Sequence, residues 1–248
     1  MAINTGPKII RSGLILHLDA GLTASYPGSG NRWYDLSGNN NTFALREGPT
    51  FNSANGGSIV FNGSDSSADS LSTVNLSAFT SITTEIWFKP SVSTGGMVFE
   101  HSANWNTNTG GFGLYPNSNG NTDDATLCHT NSNPTSMCGP RNYAFTCGTT
   151  LYSCHVNIFS TITDSTGRLT YVNGNLLSFS STGGFSTSTA TTNQSVTFRN
   201  DTMYLATRAR TAAYFNGSIA MFKIYNRKLS ASEILQNFET TKRRFNIN

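Results

Sequence analysis

The residues best equipped for chemistry are four cysteines, a few carboxylates and a group of aromatics set among asparagines. Cys128, Cys138, Cys147 and Cys154 lie in one short stretch, and two of them are followed by histidine, as Cys128-His129 and Cys154-His155. Zinc needs thiolates and imidazoles converging tetrahedrally. No C-x2-C knuckle is present, and adjacent strand residues point to opposite faces, so the spacing argues against zinc. Two readings stay open: disulfides that staple a long loop, or reduced thiols within a sheet protein. Calcium suits the other ligand-rich patch, Asn62, Asp65 and Asp69, because it takes hard oxygen donors from loops. The alternative for that patch is a solvated turn. No reading of this chain requires a cofactor.

Catalytic signatures are missing. There is no Gly-Lys dipeptide for a phosphate loop, no H-E-x-x-H and no G-x-S-x-G. Glycoside hydrolysis needs two carboxylates flanking the scissile bond. Glu85 and Glu100 lie on or beside strands but in no paired acidic motif, so the chain is expected not to be an enzyme. Sugar binding is better served. Trp105, Tyr115 and Tyr143 sit in or next to a stretch containing Asn104 and Asn106, offering aromatic faces to stack on and amides to pair with hydroxyls. Tyr115 and Tyr143 could equally fill core positions at strand ends.

These residues must be positioned by strands. Of the 248 residues, 37% are hydrophobic and only 12% charged, with 16 Phe, 9 Tyr and 3 Trp to bury. That composition excludes a disordered chain, and the scarcity of helix formers excludes a bundle. A net charge of +3 predicts no grip on nucleic acid. No apolar run approaches 18 residues and Met1 to Lys8 lacks an apolar region, so neither membrane insertion nor a signal peptide is expected. Short β-type runs recur: 14–18, 58–61, 82–88, 97–100, 113–115, 143–147, 154–162, 169–172, 176–179, 196–198, 203–206 and 218–225. Their spacing predicts an antiparallel sandwich or barrel. Asn173-Gly174 predicts a hairpin turn with positive φ at both positions. Ser230-Ala231-Ser232-Glu233 predicts a capping box, opening one helix with Ile234, Leu235 and Phe238 on a shared face. Stretches 24–41 and 103–141 are expected as long loops.

Several blocks taken in order resemble the laminin-G-like jelly-roll proteins. They are Gly13 to Gly21, Ser25 to Gly30, Trp33 to Asn39, Gly56 to Gly63, Tyr171 to Gly174, Phe215 to Ala220 and Ile224 to Ser230. The resemblance implies an all-β fold, the concanavalin A-like antiparallel β-sandwich, with one short C-terminal helix. It implies an arm at 1–12, a sandwich over 13–229 with a cysteine-containing loop region at about 103–154, and a helix and tail at 230–248. The wording is similar to proteins of tailed phages and large viruses. That resemblance implies a non-catalytic virion surface protein (capsid decoration, attachment or fibre-associated subunit), oligomeric or lattice-associated, with other virion proteins as partners. The alternative is a lectin that recognises host cell-surface glycan, and a more remote one is a glycan-cleaving enzyme. The terminal segments 1–12 and 243–248 would then anchor neighbouring subunits. Where some family members carry acidic residues, this chain has Asn62-Gly63-Ser64-Asp65 and Ala220-Met221, which weakens an inherited calcium site.

Overall fold

The structure is a computed structural model describing residues 8–91, 95–102, 111–116, 124–130, 137–138, 143–144, 151–160, 169–176 and 197–247. Its strands begin with Leu14–Asp19 (β1), Arg32–Trp33 (β2), Phe43–Arg46 (β3), Thr50–Asn52 (β4), Ser58–Asn62 (β5) and Ser67–Ser70 (β6). Val74–Asn75 (β7), Ser81–Pro90 (β8), Phe99–His101 (β9), Phe112–Pro116 (β10), Asp124–Thr130 (β11), Met137–Cys138 (β12) and Tyr143–Ala144 (β13) follow. Ser153–Ser160 (β14), Leu169–Val172 (β15), Asn175–Leu176 (β16), Asn200–Asp201 (β17), Met203–Leu205 (β18), Asn216–Tyr225 (β19) and the helix Ala231–Thr241 (α1) come last.

Two antiparallel sheets make the sandwich. An eight-stranded sheet runs β16-β15-β14-β8-β19-β5-β4, with β1 also paired to β19. A nine-stranded sheet runs β12-β11-β10-β9-β18-β6-β3-β2, with β13 also paired to β11. Strands β7 and β17 form a small separate ladder. The hairpin at Asn173-Gly174 forms as expected, with φ of 49° and 80°. The expected strand at 196–198 is not formed over its described part. Phe198 turns into the core, and pairing starts at Asn200 instead. The stretch 24–41 contains β2, and the stretch 103–141 carries β10, β11 and β12. A two-residue strand has no periodicity to detect, and β11 is too polar to stand out from a loop.

Period-two alternation sorts β8 between two cores. Ile82, Ile86 and Phe88 face the other sheet, sharing one core with its Phe99 and Phe112 and with Phe222 from neighbouring β19. Trp87 faces outward, into a second cluster with Tyr152, Val156, Tyr225, Ile234 and Phe238. A bulge between Ile219 and Met221 sends both Ala220 and Met221 outward, so Phe222 returns to the inner face. The outer cluster is roofed by α1. Ser230 caps the helix by accepting from the Glu233 amide, and Glu233 accepts in return from the Ser230 amide at 2.9 Å. Ile234 and Phe238 are buried, whereas Leu235 is 47% exposed and Asn237 takes the inward place.

Asn237 points inward because an ion pair lies beneath it. Lys223 Nζ sits 2.7 Å from Glu85 Oε1, and both side chains are fully buried. Asn237 donates to Glu85 Oε2 at 2.8 Å and to the Tyr225 hydroxyl at 2.9 Å, and the Trp87 indole donates to Glu85 Oε1 at 3.3 Å. The Ile10 amide donates to Asn237 Oδ1 at 2.8 Å, which ties the first described residues to the same network. At the other end Phe245 stacks on Trp87 with centroids 4.5 Å apart, and Arg244 bonds Asp19, Asn55 and Gly57. A Cβ at Gly21 would lie 2.6 Å from Arg244 Nη2, and one at Gly56, where φ is 75°, would lie 2.9 Å from Arg244 Nε, so these two glycines let Arg244 dock. Residues 8–12 and 243–247, expected as arms for neighbours, are therefore packed on the chain's own sheet.

Breaking the pair should cost more than replacing it. Lys223→Met strands a buried carboxylate and is expected to lose about 3–5 kcal/mol, while Lys223→Met with Glu85→Gln regains most of that. Urea unfolding of both variants checks this.

Candidate functional site

The outer face of the eight-stranded sheet is covered, so the polar face of the molecule is the outer side of the nine-stranded sheet. Its strands send Phe43, Leu45, Ala68, Met203, Leu205, Phe99, Phe112 and Leu114 into the core. The alternate residues face outward, and their register forms one transverse row. Arg32 pairs with Ala44, Ala44 with Asp69, Asp69 with Tyr204, Tyr204 with Glu100, and Glu100 with Gly113. A half-buried tyrosine thus stands between two carboxylates.

The two carboxylates differ in setting. Asp69 is engaged bidentately by Arg46, at 2.8 Å from Nε and 2.9 Å from Nη2, and Arg210 Nε lies 4.0 Å away. Arg46 is held above its ordinary pKa, chiefly by that hydrogen bond. Glu100 is fully buried; the Ser102 hydroxyl donates to its Oε1, and its Oε2 has no hydrogen-bond partner among the described residues. Burial raises its pKa to about 7, against the opposing pull of Ser102, Arg208 and the Ala209 backbone. The Tyr204 phenol is pushed up as well, mainly by burial.

The connection from β18 to β19 flanks this row. Ala206, Ala209, Arg210 and Ala213 have φ of 61°, 48°, 59° and 50°. None is glycine, and each such left-handed residue costs about 1–2 kcal/mol. Hydrogen bonds hold the conformation. The Ala206 amide donates to Val98 O at 2.9 Å and the Met97 amide to Ala213 O at 2.7 Å, so the loop is laced to the residues just before β9. Within it, the Arg208 amide donates to Ala212 O and the Tyr214 hydroxyl to Arg210 O. Strain over-determined in this way is commonly found where a loop presents groups to a ligand.

The residues singled out from sequence are dispersed. Trp105, Asn104 and Asn106 lie outside the described residues, in the segment that follows Ser102. Tyr115 falls in β10 opposite Thr126 and Tyr143 in β13 opposite Ala125, with side chains outside the description. Cys128 lies in β11 opposite Gly113 and Cys138 in β12 opposite His129, while Cys147 is outside the described residues. Cys154 is a free, buried thiol on the outer side of the eight-stranded sheet, its pKa pushed well up by burial.

Asn62 and Asp65 build a turn together. Asn62 Oδ1 accepts from the Ser64, Asp65 and Ser66 amides and from the Ser66 hydroxyl, and its Nδ2 donates to Asp65 at 2.8 Å. Asp69 is committed to Arg46 instead. Among the described residues no three His, Cys, Asp or Glu side chains gather as metal ligands. Glu85 is locked in its ion pair and faces no other carboxylate site. Sequence reasoning missed Tyr204 and Arg32, Arg46, Arg208 and Arg210. The signal for the last two was there, as Arg-x-Arg in a short connection between two β-type runs.

Comparison with solved structures finds the same architecture. Domain 4 of AbnA, a GH43 extracellular arabinanase from Geobacillus stearothermophilus solved with arabinotriose, superposes with a TM-score of 0.65 at 17% identity. That match covers 91% of this chain and 98% of the other. The binding domain of botulinum neurotoxin DC, solved with rat synaptotagmin II, gives 0.65 at 15% identity over 94% of this chain and 52% of the other. The botulinum neurotoxin type C structure, whose cell entry depends on two ganglioside molecules, gives 0.65 at 16% over 94% and 52%. The chain thus spans about half the length of these toxin domains. No match is found among curated protein sequences. The family described as the concanavalin A-like lectin/glucanases superfamily matches residues 61–235, from the end of β5 into α1. With that match running over well more than half its length and a jelly-roll sandwich to carry it, the chain belongs to the concanavalin A-like lectin/glucanases superfamily.

Proposed function

We propose that this chain is a non-catalytic carbohydrate-recognition domain that binds glycan on the outer face of its nine-stranded sheet, around Tyr204. One observation carries the reading: the row Asp69–Tyr204–Glu100, flanked by a loop held in four left-handed, non-glycine conformations. A tyrosine ring offers an apolar face to the C–H side of a sugar, while guanidinium and carboxylate groups pair with its hydroxyls. A loop already fixed by hydrogen bonds loses little entropy on binding. The arabinotriose-bound arabinanase domain, with the same fold, supports a sugar as the ligand class.

Two features speak for binding without cleavage. Hydrolysis needs an acid and a second carboxylate, both reaching the glycosidic bond. Glu100 has the raised pKa of an acid, yet it is fully buried beneath its neighbours, and Asp69 is saturated by Arg46. Glu100 serves better as an internal tether between β9 and the β18–β19 loop. The resemblance to phage and large-virus proteins supplies the setting: attachment of a virion surface to glycan-bearing cells, alongside other virion proteins.

Tyr204→Ala should weaken glycan binding about tenfold without unfolding the domain. A glycan array followed by titration calorimetry tests this, with Trp105→Ala in parallel. Loss confined to Trp105→Ala would overturn the placement and move the site to the segment after β9. Reducing ends released from a polysaccharide panel, and abolished by Glu100→Gln, would overturn the non-catalytic assignment.

Glu100 also predicts a pH dependence. Its folded pKa lies above the ordinary carboxylate value, so the folded state holds the proton more tightly. The contribution of Glu100 to stability is greatest below about pH 4.5, falls as pH rises to about 7, and is level beyond. Glu100→Gln removes that fall and should gain up to about 3 kcal/mol over the parent at pH 8, and nothing near pH 4. Chemical denaturation at the two pH values measures the difference.

A further inference from the structure

We infer that the sugar recognised on this face is acidic, with a carboxylate or sulfate group seated between Arg32 and Arg210. The inference rests on the proposed binding face and concerns only which class of glycan it takes.

The argument begins with charge that is not neutralised. Four guanidinium groups belong to this surface. Arg32 and Arg46 lie on β2 and β3, and Arg208 and Arg210 on the β18–β19 loop. Arg46 is matched by its bidentate bond to Asp69, with Glu47 nearby. Arg32 faces outward, because its neighbour Trp33 is in the core. It makes no ion pair among the described residues, and Ala44 across from it is too short to cover it. Arg210 is 44% exposed and 4.0 Å from an Asp69 carboxylate whose oxygens already accept from Arg46. The remaining acid is Glu100, on which Arg208 acts.

Glu100 does little to offset the positive groups. Its side chain is fully buried, and Oε2 has no partner among the described residues. A carboxyl in that setting is half protonated near neutral pH, so the face gains positive charge as pH falls. The groups acting on Glu100 are the Ser102 hydroxyl, Arg208 and the Ala209 backbone, and those acting on its neighbour Tyr204 are Thr202, Asp69, Glu100 itself and Arg210; Asp69 is already bound by Arg46, so none of them brings a further free anion. Arg210 lies beside Asp69, and Arg32 lies two strands from Asp69 across the short Ala44, a backbone offset of about 10 Å that two long arginine side chains can close on one anion. Planar guanidinium forks match carboxylate and sulfate oxygens, and an anion is drawn to them in preference to a neutral hydroxyl.

The test uses the full chain and matched oligosaccharides: sialylated against desialylated, and sulfated against desulfated. Dissociation constants are measured at pH 6 and pH 8. The acidic member of at least one pair should bind about tenfold more tightly than its neutral counterpart, and more tightly at pH 6 than at pH 8. The pair that responds identifies carboxylate or sulfate as the anion. Arg32→Ala and Arg210→Ala should each erase most of that preference, bringing the affinity for the acidic member down to that for its neutral counterpart. Arg243→Ala, at an exposed position on the C-terminal segment, should change nothing, and near-ultraviolet circular dichroism verifies folding. Equal, Tyr204-dependent binding of acidic and neutral members would overturn this inference and leave the recognition face standing. Binding of no member would overturn the recognition reading, and this inference with it.

Discussion

The structure depends on one rung of one strand pair. Strands β8 and β19 are the longest in the chain, and β14, β1 and β5 all add to them. On the outer side of that pair sit Glu85 and Lys223, fully buried and in contact. Charges in such a place are tolerable only if they are paired and their remaining donors and acceptors are met. The helix meets them through Asn237, and the helix in turn is short enough to need the packing it gains there. Each therefore requires the other. His17, opposite Lys223 in the β1–β19 ladder, is held neutral: burial, Lys223 and Arg11 lower its pKa to about 3. Lys223 is left with Glu85 as its partner.

That arrangement divides the molecule's work between its two outer surfaces. One surface is sealed by α1, Phe245 and the residues around Ile10, and it holds the fold together. The other carries alternating arginine, aspartate, tyrosine and glutamate on a sheet whose inner side is mostly apolar, with His101 packed on Phe112 there. The inner side sets register, because a one-residue slip in any of these strands would drive charge into the core. Register then fixes the row across the opposite side. The strained β18–β19 loop is affordable only because β9 and its preceding residues anchor it from below.

Much of the fold was legible in the residues, and the reasons are particular. Asn173-Gly174 and Ser230 to Glu233 are local signals that need no tertiary context. The long strands β8, β14 and β19 declared themselves by apolar content. The strands that were missed are short ones, such as β2, β3, β4 and β7, or polar ones such as β6 and β11, and only their partners make them strands. The candidate site was less legible. Asp69 and Glu100 were noticed, but as a calcium ligand and a stray carboxylate, because the cross-strand register that sets them either side of Tyr204 joins positions far apart in sequence. The β18–β19 loop has no Gly, Pro or Asn between Ala206 and Ala213, so nothing in its composition announces four left-handed residues.

The packing of residues 8–12 and 243–247 on the sealed surface gives the domain a front and a back. Both ends of the described chain leave from the side that α1 covers, with the Tyr204 row on the opposite side of the sandwich. A label or solid support coupled at Lys8 or Asn246, both exposed, meets the back first. Immobilised through those positions, the molecule presents its polar sheet to the solution without any need to engineer its orientation.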